Sequence, residues 1–387
     1  MAETTVTPAV HADLARGQRI EALDVLRGIA IIGTLASNIW SFGSTATGEE
    51  AGSWVASLLM WLPNGKFLGL LTLMFGIGLE IQRQSAVRAG RRWPGTYPVR
   101  AALLFIDGVI NYVLVVQFDV LRAYAVTGAI VAFLLLTSER VQWWLIGAFF
   151  TAHLAFLAFM TRSLLESFDK GDLDKAALMA EAEQFDTYWE NVSYTLRHFG
   201  RGFSFGSEFV TIILMGIASF LLGAKLYRGG IFEPARRDLR RWLIAGGFLV
   251  ALPLDAALTH TWVAWTAFGG YARYGAALGV AVGILALVAE FYQRRSVGWL
   301  GRQVAAVGAM ALSCYLLQNI IGVIIHYNLV PRVDIGYLWM TLGCFVAISV
   351  VMVVFAHNWL RRFPRGPAEL LWHWSYRTIT RTFGSSR

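Results

Sequence analysis

The stretch LDVLRGIAIIGTLASNIWSF, residues 23–42, decides the fold. Twenty residues in a helix cover about 30 Å, the thickness of a bilayer's hydrocarbon core. Its only charges, Asp24 and Arg27, stand at the start, and none follows from Gly28 to Phe42. No apolar–polar alternation of period two runs through it. It therefore reads as a membrane-spanning helix, which satisfies its own backbone polar groups, and not as a strand.

Similar windows recur along the chain, at 67–84, 100–117, 119–137, 141–161, 207–227, 241–259, 271–292, 303–327 and 337–359. The expectation is an all-α polytopic membrane bundle of about ten transmembrane helices. A shorter apolar piece, Trp54 to Trp61, is expected to be interfacial or re-entrant. Composition agrees: 56% of the 387 residues are apolar and 15% charged, too little polar surface to cover a soluble protein of this size. The first twenty residues are polar and precede no short apolar core with a small-residue cleavage site, so the first helix is expected to serve as the insertion signal. Cys314 and Cys344 are the only cysteines and lie in apolar windows, which points to neither a disulfide framework nor a thiol metal site.

The charges test the spans independently, because loops left on the cytoplasmic side carry the excess of Lys and Arg. With the N-terminus inside, Arg83, Arg88, Arg91, Arg92, Arg100, Arg140, Lys225, Arg228, the cluster Arg236 to Arg241, Arg294, Arg295 and Arg302 all fall on one side, with the arginines of the tail. The long connection from Arg162 to Ser207 is acidic and falls on the other. This arrangement explains the net charge of +8 without nucleic acid, and it puts both termini in the cytoplasm. The expected organisation is a cytoplasmic segment 1–22, a first bundle 23–161, an extracytoplasmic loop 162–206 with an amphipathic helix, a second bundle 207–360, and an amphipathic tail 361–387 at the inner interface. The expected location is a cell membrane whose cytoplasmic face carries these arginines, with membrane lipids as partners.

Ionisable groups inside spans are costly, so they mark a functional cavity or a pair facing the bundle interior. Asp24 and Arg27, three apart, share a face and suit mutual neutralisation; Arg27 equally suits a phosphate or carboxylate at the cytoplasmic mouth. Asn38, on the outer half of that helix, offers an amide that donates and accepts. Asp107 stands in the third span. Asp119 and Arg122 open the fourth, where Asp119 also reads as a helix N-cap. Lys66, Glu208, Asp255, His260, Arg273 and His326 fall near outer helix ends and would form a polar vestibule if they converge. There is no Walker loop, His-Glu-x-x-His or Cys-x-x-Cys pattern.

Four blocks, in order, resemble the YeiB-like family of bacterial membrane proteins, whose C-terminal half is a domain of unknown function numbered 418. They are Arg19-Ile-Glu-Ala-Leu-Asp-Val-Leu-Arg-Gly through Asn38, Gly65-Lys-Phe-Leu through Met74-Phe-Gly-Ile-Gly-Leu, Phe118-Asp-Val-Leu-Arg-Ala-Tyr, and Gly308-Ala-Met-Ala-Leu-Ser-Cys-Tyr-Leu-Leu-Gln-Asn. That family in turn resembles transmembrane acyltransferases that include the lysosomal heparan glucosaminide acetyltransferase. The resemblance implies an acyl-CoA co-substrate arriving from the cytoplasm, no metal, and an extracytoplasmic hydroxyl or amine acceptor. It implies substrate-binding roles for Asp24, Arg27, Asn38, Lys66, Arg122, Tyr124, Tyr315 and Gln318. The lysosomal relative's catalytic histidine between the first two helices has no counterpart, since residues 43–66 contain none. A catalytic base is then expected from Asp107, Asp119 or His326. Transport or flipping of a small-molecule or lipid substrate, and a non-catalytic envelope role, stay open beside acyl transfer.

Overall fold

The computed structural model describes residues 8–42, 54–169, 185, 187–260, 269–329 and 337–384, with side chains from Glu21 onward for nearly all of them. Among the described residues there is helix and no strand. In chain order the helices are α1 (Pro8–Asn38), α2 (Trp54–Trp61), α3 (Lys66–Arg88), α4 (Tyr97–Leu114), α5 (Leu121–Leu134), α6 (Glu139–Asp169), α7 (Tyr188–Arg197) and α8 (Glu208–Arg228). They continue with α9, built from Arg237–Ala245, a π-helical turn Gly246–Ala251 and Leu252–His260, and with α10, built from Gly269–Tyr271, a π-helical turn Ala272–Ala276 and Ala277–Arg294. The last are α11 (Trp299–Ala309), α12 (Ala311–Asn328), α13 (Tyr337–Leu360) and α14 (Pro367–Gly384).

All ten expected apolar segments are helical, and eight of them are long and apolar enough to cross a membrane. The other two differ from the sequence reading. The expected span 303–327 is the bent pair α11 and α12, which meet at 86° around Met310. No proline stands there to announce the break. It survives because Glu369, on the distant α14, accepts the N–H groups of Leu312 and Ser313 at 2.9 and 3.2 Å, which the bend would otherwise leave without partners. The expected span 119–137 shrinks to α5, whose 14 residues cover about 21 Å, short of a full hydrocarbon core. Its missing turn is the irregular stretch 115–120, where Asp119 is buried.

The amphipathic helix expected within the acidic loop falls largely on residues 170–184, outside the described residues. Beyond them α7 carries the capping box of Thr187 and Glu190, which closes its N-terminus. The tail forms α14, with Leu371 and Trp374 exposed beside arginines, as an interfacial helix requires.

Long-range contacts sort the helix ends into two sets. At one end Lys225 and Arg228 pair with Glu139, Arg240 bonds Glu290 at 2.7 Å, and Tyr376 meets Thr96. At the other, Trp61 bonds Asp255, Tyr188 bonds the Leu114 carbonyl, and His326 bonds the Phe42 carbonyl. The first set holds the arginine-bearing loops, so the tertiary contacts give the same alternation as the charges. The chain is a multi-pass membrane protein.

Two glycine positions permit the packing that shapes the interior. A Cβ at Gly28 of α1 would collide with the Val304 carbonyl, and one at Gly308 of α11 with the Asp24 carbonyl, so only small residues let these two helices cross so closely. Gly65 combines φ 74° with contact against the Arg273 backbone, and so turns the chain into Lys66 where any side chain would be strained.

Candidate functional site

Helices α1, α3, α4, α5, α11, α12 and α14 leave between them a cavity of about 340 Å3, within the size range of small-ligand sites. At its arginine-rich end stand Arg27, Gln82, Arg100, Glu369 and Trp372. Its deeper wall is apolar, with Ile31, Leu71, Met74, Phe75, Leu104 and Leu121, and includes Tyr315. Along α3 the lining runs from Leu71 to Gln82, about 16 Å of helix. A polar mouth and an apolar shaft of that length suit an elongated amphiphile.

The mouth is built from short local rules and one long-range lid. Arg27 donates to Asp24 at 2.8 Å, the i,i+3 pair expected from the sequence, and both side chains are partly exposed. The guanidinium keeps further donors for a ligand in the cavity it lines. Arg100 donates to Gln82 at 2.8 Å and lies against the rings of Tyr376 and Trp372, 4.6 and 5.5 Å from their centroids. Helix α14 thus covers the mouth through Trp372, Tyr376 and Glu369. Ser313 donates its hydroxyl to Glu369 and accepts the Ala368 N–H at 3.0 Å, which ties the lid to the start of α12.

Beyond the shaft lie three charged clusters at the opposite end. Asp119 accepts Asn111 Nδ2 at 2.8 Å and the Arg122 backbone N–H at 3.1 Å, and Arg122 Nε stands 3.5 Å away. The backbone bond is what the N-cap reading expects, although the helix's own cap position falls on Val120. Arg122 is 3% exposed, stacked 3.6 Å over the Tyr112 ring. Leu121 lines the cavity, so this pair abuts its deep end. In a second cluster Lys66 Nζ meets Asp255 at 2.6 Å, with side chains 4% and 2% exposed, and Trp61 Nε1 donates to the same carboxylate at 2.7 Å. In a third, Arg273 bonds Asn64 at 2.7 Å and approaches Glu208, which accepts the Tyr274 hydroxyl; Arg273 and Tyr274 both lie on the π-helical turn of α10. The side chain of His260 lies outside the described residues.

The sequence-derived candidates therefore separate. Arg27 and Tyr315 line the cavity. Asp24 holds Arg27, Asp119 and Arg122 pair beside the deep end, and Lys66 is locked to Asp255. Tyr124 is fully buried and bonds Thr72 at 2.6 Å, joining α5 to α3 within the core. Asn38, at the end of α1, and Asp107, one turn beyond Leu104 on α4, are both part-buried and make no side-chain hydrogen bond or ion pair among the described residues. His326 sits near the C-terminal end of α12 on the Phe42 carbonyl, 3.2 Å away. Gln318 is fully buried with both amide atoms unpartnered. Sequence reasoning did not single out Gln82, Arg100, Asn111, Glu369 or Trp372. Arg100 and Glu369 were visible only as a loop charge and a tail residue, since what recruits them is the folding of α14 over the mouth. No three His, Cys, Asp or Glu side chains converge on a metal-sized site among the described residues.

The family described as "Protein of unknown function (DUF418)" matches residues 226–378, which include the bent pair α11 and α12 and most of the lid α14. The chain is 28% identical over 384 residues to "Uncharacterized protein YeiB" of Escherichia coli (strain K12), covering 92% of this chain and 95% of that protein. It is 26% identical over 392 residues to "Uncharacterized protein YxaH" of Bacillus subtilis (strain 168), covering 92% and 93%. These alignments extend the likeness to the N-terminal helices that supply the rest of the cavity wall. The chain is YeiB-like, with a DUF418 region.

Proposed function

We propose that this YeiB-like membrane protein binds an acyl-CoA from its arginine-rich face and transfers the acyl group to a hydroxyl or amine acceptor at the opposite face. The observation that carries this reading is the amphipathic cavity. Arg27 and Arg100 at its mouth suit the phosphates of a nucleotide-bearing thioester, while the apolar shaft accepts the pantetheine arm and a short acyl chain. The positive-inside rule puts that mouth on the cytoplasmic side, where acyl-CoA is made.

In the transfer, the acceptor oxygen or nitrogen attacks the thioester carbonyl at the deep end of the shaft, the C–S bond breaks, and CoA leaves as a thiolate that takes up the acceptor's proton. Of the three carboxylate or imidazole candidates, Asp107 is the one without a side-chain hydrogen bond or ion pair among the described residues, and we assign it to relay that proton. Asp119 is engaged by Asn111 and Arg122, so we assign it to positioning: the pair holds the turn 115–120 against Tyr315 and Leu121. Asp107→Asn is expected to abolish transfer while leaving acyl-CoA affinity unchanged, as a group acting only in the transition state would.

A thermal-shift titration of the detergent-purified protein with acetyl-CoA and longer acyl-CoAs tests the reading. Saturable stabilisation, lost in Arg27→Ala and Arg100→Ala, is the expected result, because a ligand that binds only the native state raises its apparent stability. No shift with any acyl-CoA overturns it. Transport is the second reading, favoured by the bent pair α11 and α12, since discontinuous helices commonly line transporter sites. Uptake of an unmodified solute by proteoliposomes, without acyl-CoA binding, would replace the first reading with the second.

A further inference from the structure

On α12 the residues Tyr315, Gln318, Asn319, Gly322 and His326 recur every three or four positions and so share one face. Tyr315 starts this stripe on the cavity wall, and His326 ends it at the opposite end of the bundle. The other side of the helix is apolar and outward-facing, with Ile320 and Ile324 exposed. The stripe is therefore aimed into the protein.

What sets it apart is that, among the described residues, the amides of its two middle members, Gln318 and Asn319, have nothing to bond. Gln318 and Asn319 are completely buried, and neither the nitrogen nor the oxygen of either amide finds a hydrogen-bond partner. The Tyr315 hydroxyl lies close to Asn319 but outside hydrogen-bonding geometry. Buried side-chain amides are otherwise nearly always satisfied, and inside a bilayer an orphaned one is especially costly. Two on adjacent positions, with no partner among the described residues, leave four hydrogen-bonding atoms open to a guest.

The outer end of the stripe is closed by one aromatic side chain. The Phe42 ring, at the end of α1, lies so close over Gly322 that a Cβ there would collide with it. Phe42 in turn touches Phe118, 5.7 Å between ring centroids, and its carbonyl takes the His326 bond.

We propose that this stripe is the acceptor's passage: a neutral, hydroxyl-bearing solute enters from the end opposite the arginines, past Phe42, and reaches Tyr315 along Gln318 and Asn319. Amides and a phenol each donate and accept, which matches hydroxyl groups, and the stripe carries no carboxylate or fixed cation that would call for a charged ligand. The inference rests on the acyl-transfer reading for the word acceptor; the passage itself does not depend on it.

Cysteine accessibility tests it without any turnover. In a full-length background carrying Cys314→Ala and Cys344→Ala, Gln318→Cys and Asn319→Cys are introduced singly, with Ile320→Cys as the lipid-facing control. Each is treated with a small membrane-impermeant methanethiosulfonate in right-side-out and in inverted vesicles. Labelling of Gln318→Cys or Asn319→Cys from the outer side, none of Ile320→Cys, and slowing by glycerol or glucose are expected. Phe42→Ala should speed labelling about tenfold by removing the gate, and Gly322→Ala should slow it. Labelling only from the arginine-rich side, or none at either position with Phe42→Ala present, overturns the passage. Outer labelling without any acyl-CoA thermal shift would keep the passage and discard acyl transfer; a thermal shift without outer labelling would do the reverse.

Discussion

The two ends of this bundle use charge in opposite ways. At the arginine-rich mouth, Arg27 and Arg100 are half-open, each with one hydrogen-bond partner and donors left over. At the far end, Lys66, Asp255 and Arg122 are almost wholly buried and matched to carboxylates or cations on neighbouring elements. A charge kept near water is cheap to hold and available to a ligand, whereas a buried one persists only while its partner does. Charged residues in membrane spans are therefore not one class: here the exposed ones suit binding and the buried ones hold the helices together.

The contrast can be broken most forcefully at the far end. Asp255→Ala leaves the Lys66 ammonium buried and uncompensated, and is expected to destabilise the protein by about 3–5 kcal/mol, read as a lower Tm in detergent. Lys66→Met combined with Asp255→Leu should recover most of that loss. If Asp255→Ala instead kept its Tm and lost ligand binding, the far end would be a site and not a brace. At the mouth, Arg27→Ala or Arg100→Ala should weaken acyl-CoA binding by about 1.5–3 kcal/mol, the range for hydrogen bonds to charged groups, measured by isothermal titration. The Tm of the ligand-free protein should move little.

Between the two regimes stands Glu369, which belongs to the mouth yet holds the bend. Glu369→Gln weakens the carboxylate cap on α12 and should cost about 1 kcal/mol, seen as faster amide exchange at Leu312 and Ser313 and earlier proteolysis of α14. The smallest effect is expected for Asp24→Asn. Its partly exposed pair with Arg27 contributes less than about 1 kcal/mol to stability. Removing the carboxylate frees Arg27, so acyl-CoA affinity should rise; a fall would show that Asp24 touches the ligand.

Much of the scaffold was legible in the residues because lipid imposes a simple rule. A segment must be long, apolar and self-satisfied to span, and arginines must stay on one side, so eight of the ten apolar segments could be bounded within a few residues, the other two being trimmed or bent. The Asp24–Arg27 pair was equally legible, since i,i+3 contacts depend on helix geometry alone. The bend at Met310 was not: nothing local marks it, and its amides are capped by a carboxylate some sixty positions away on a helix that reads as a mere surface tail.

Sequence by itself determined that this chain is an all-α membrane bundle, which faces carry its charges, and which polar residues lie at bilayer depth. Tertiary structure alone decided which of those residues meet. It set Arg100 beside Arg27 under a lid, paired Lys66 with Asp255 nearly two hundred positions on, and left Gln318 and Asn319 without partners. Hydropathy and charge placement act residue by residue and can be summed along a chain. Pairing inside the bundle depends on how helices cross, and that was set by close contacts such as Gly28 on Val304 and Gly308 on Asp24, which no single segment contains.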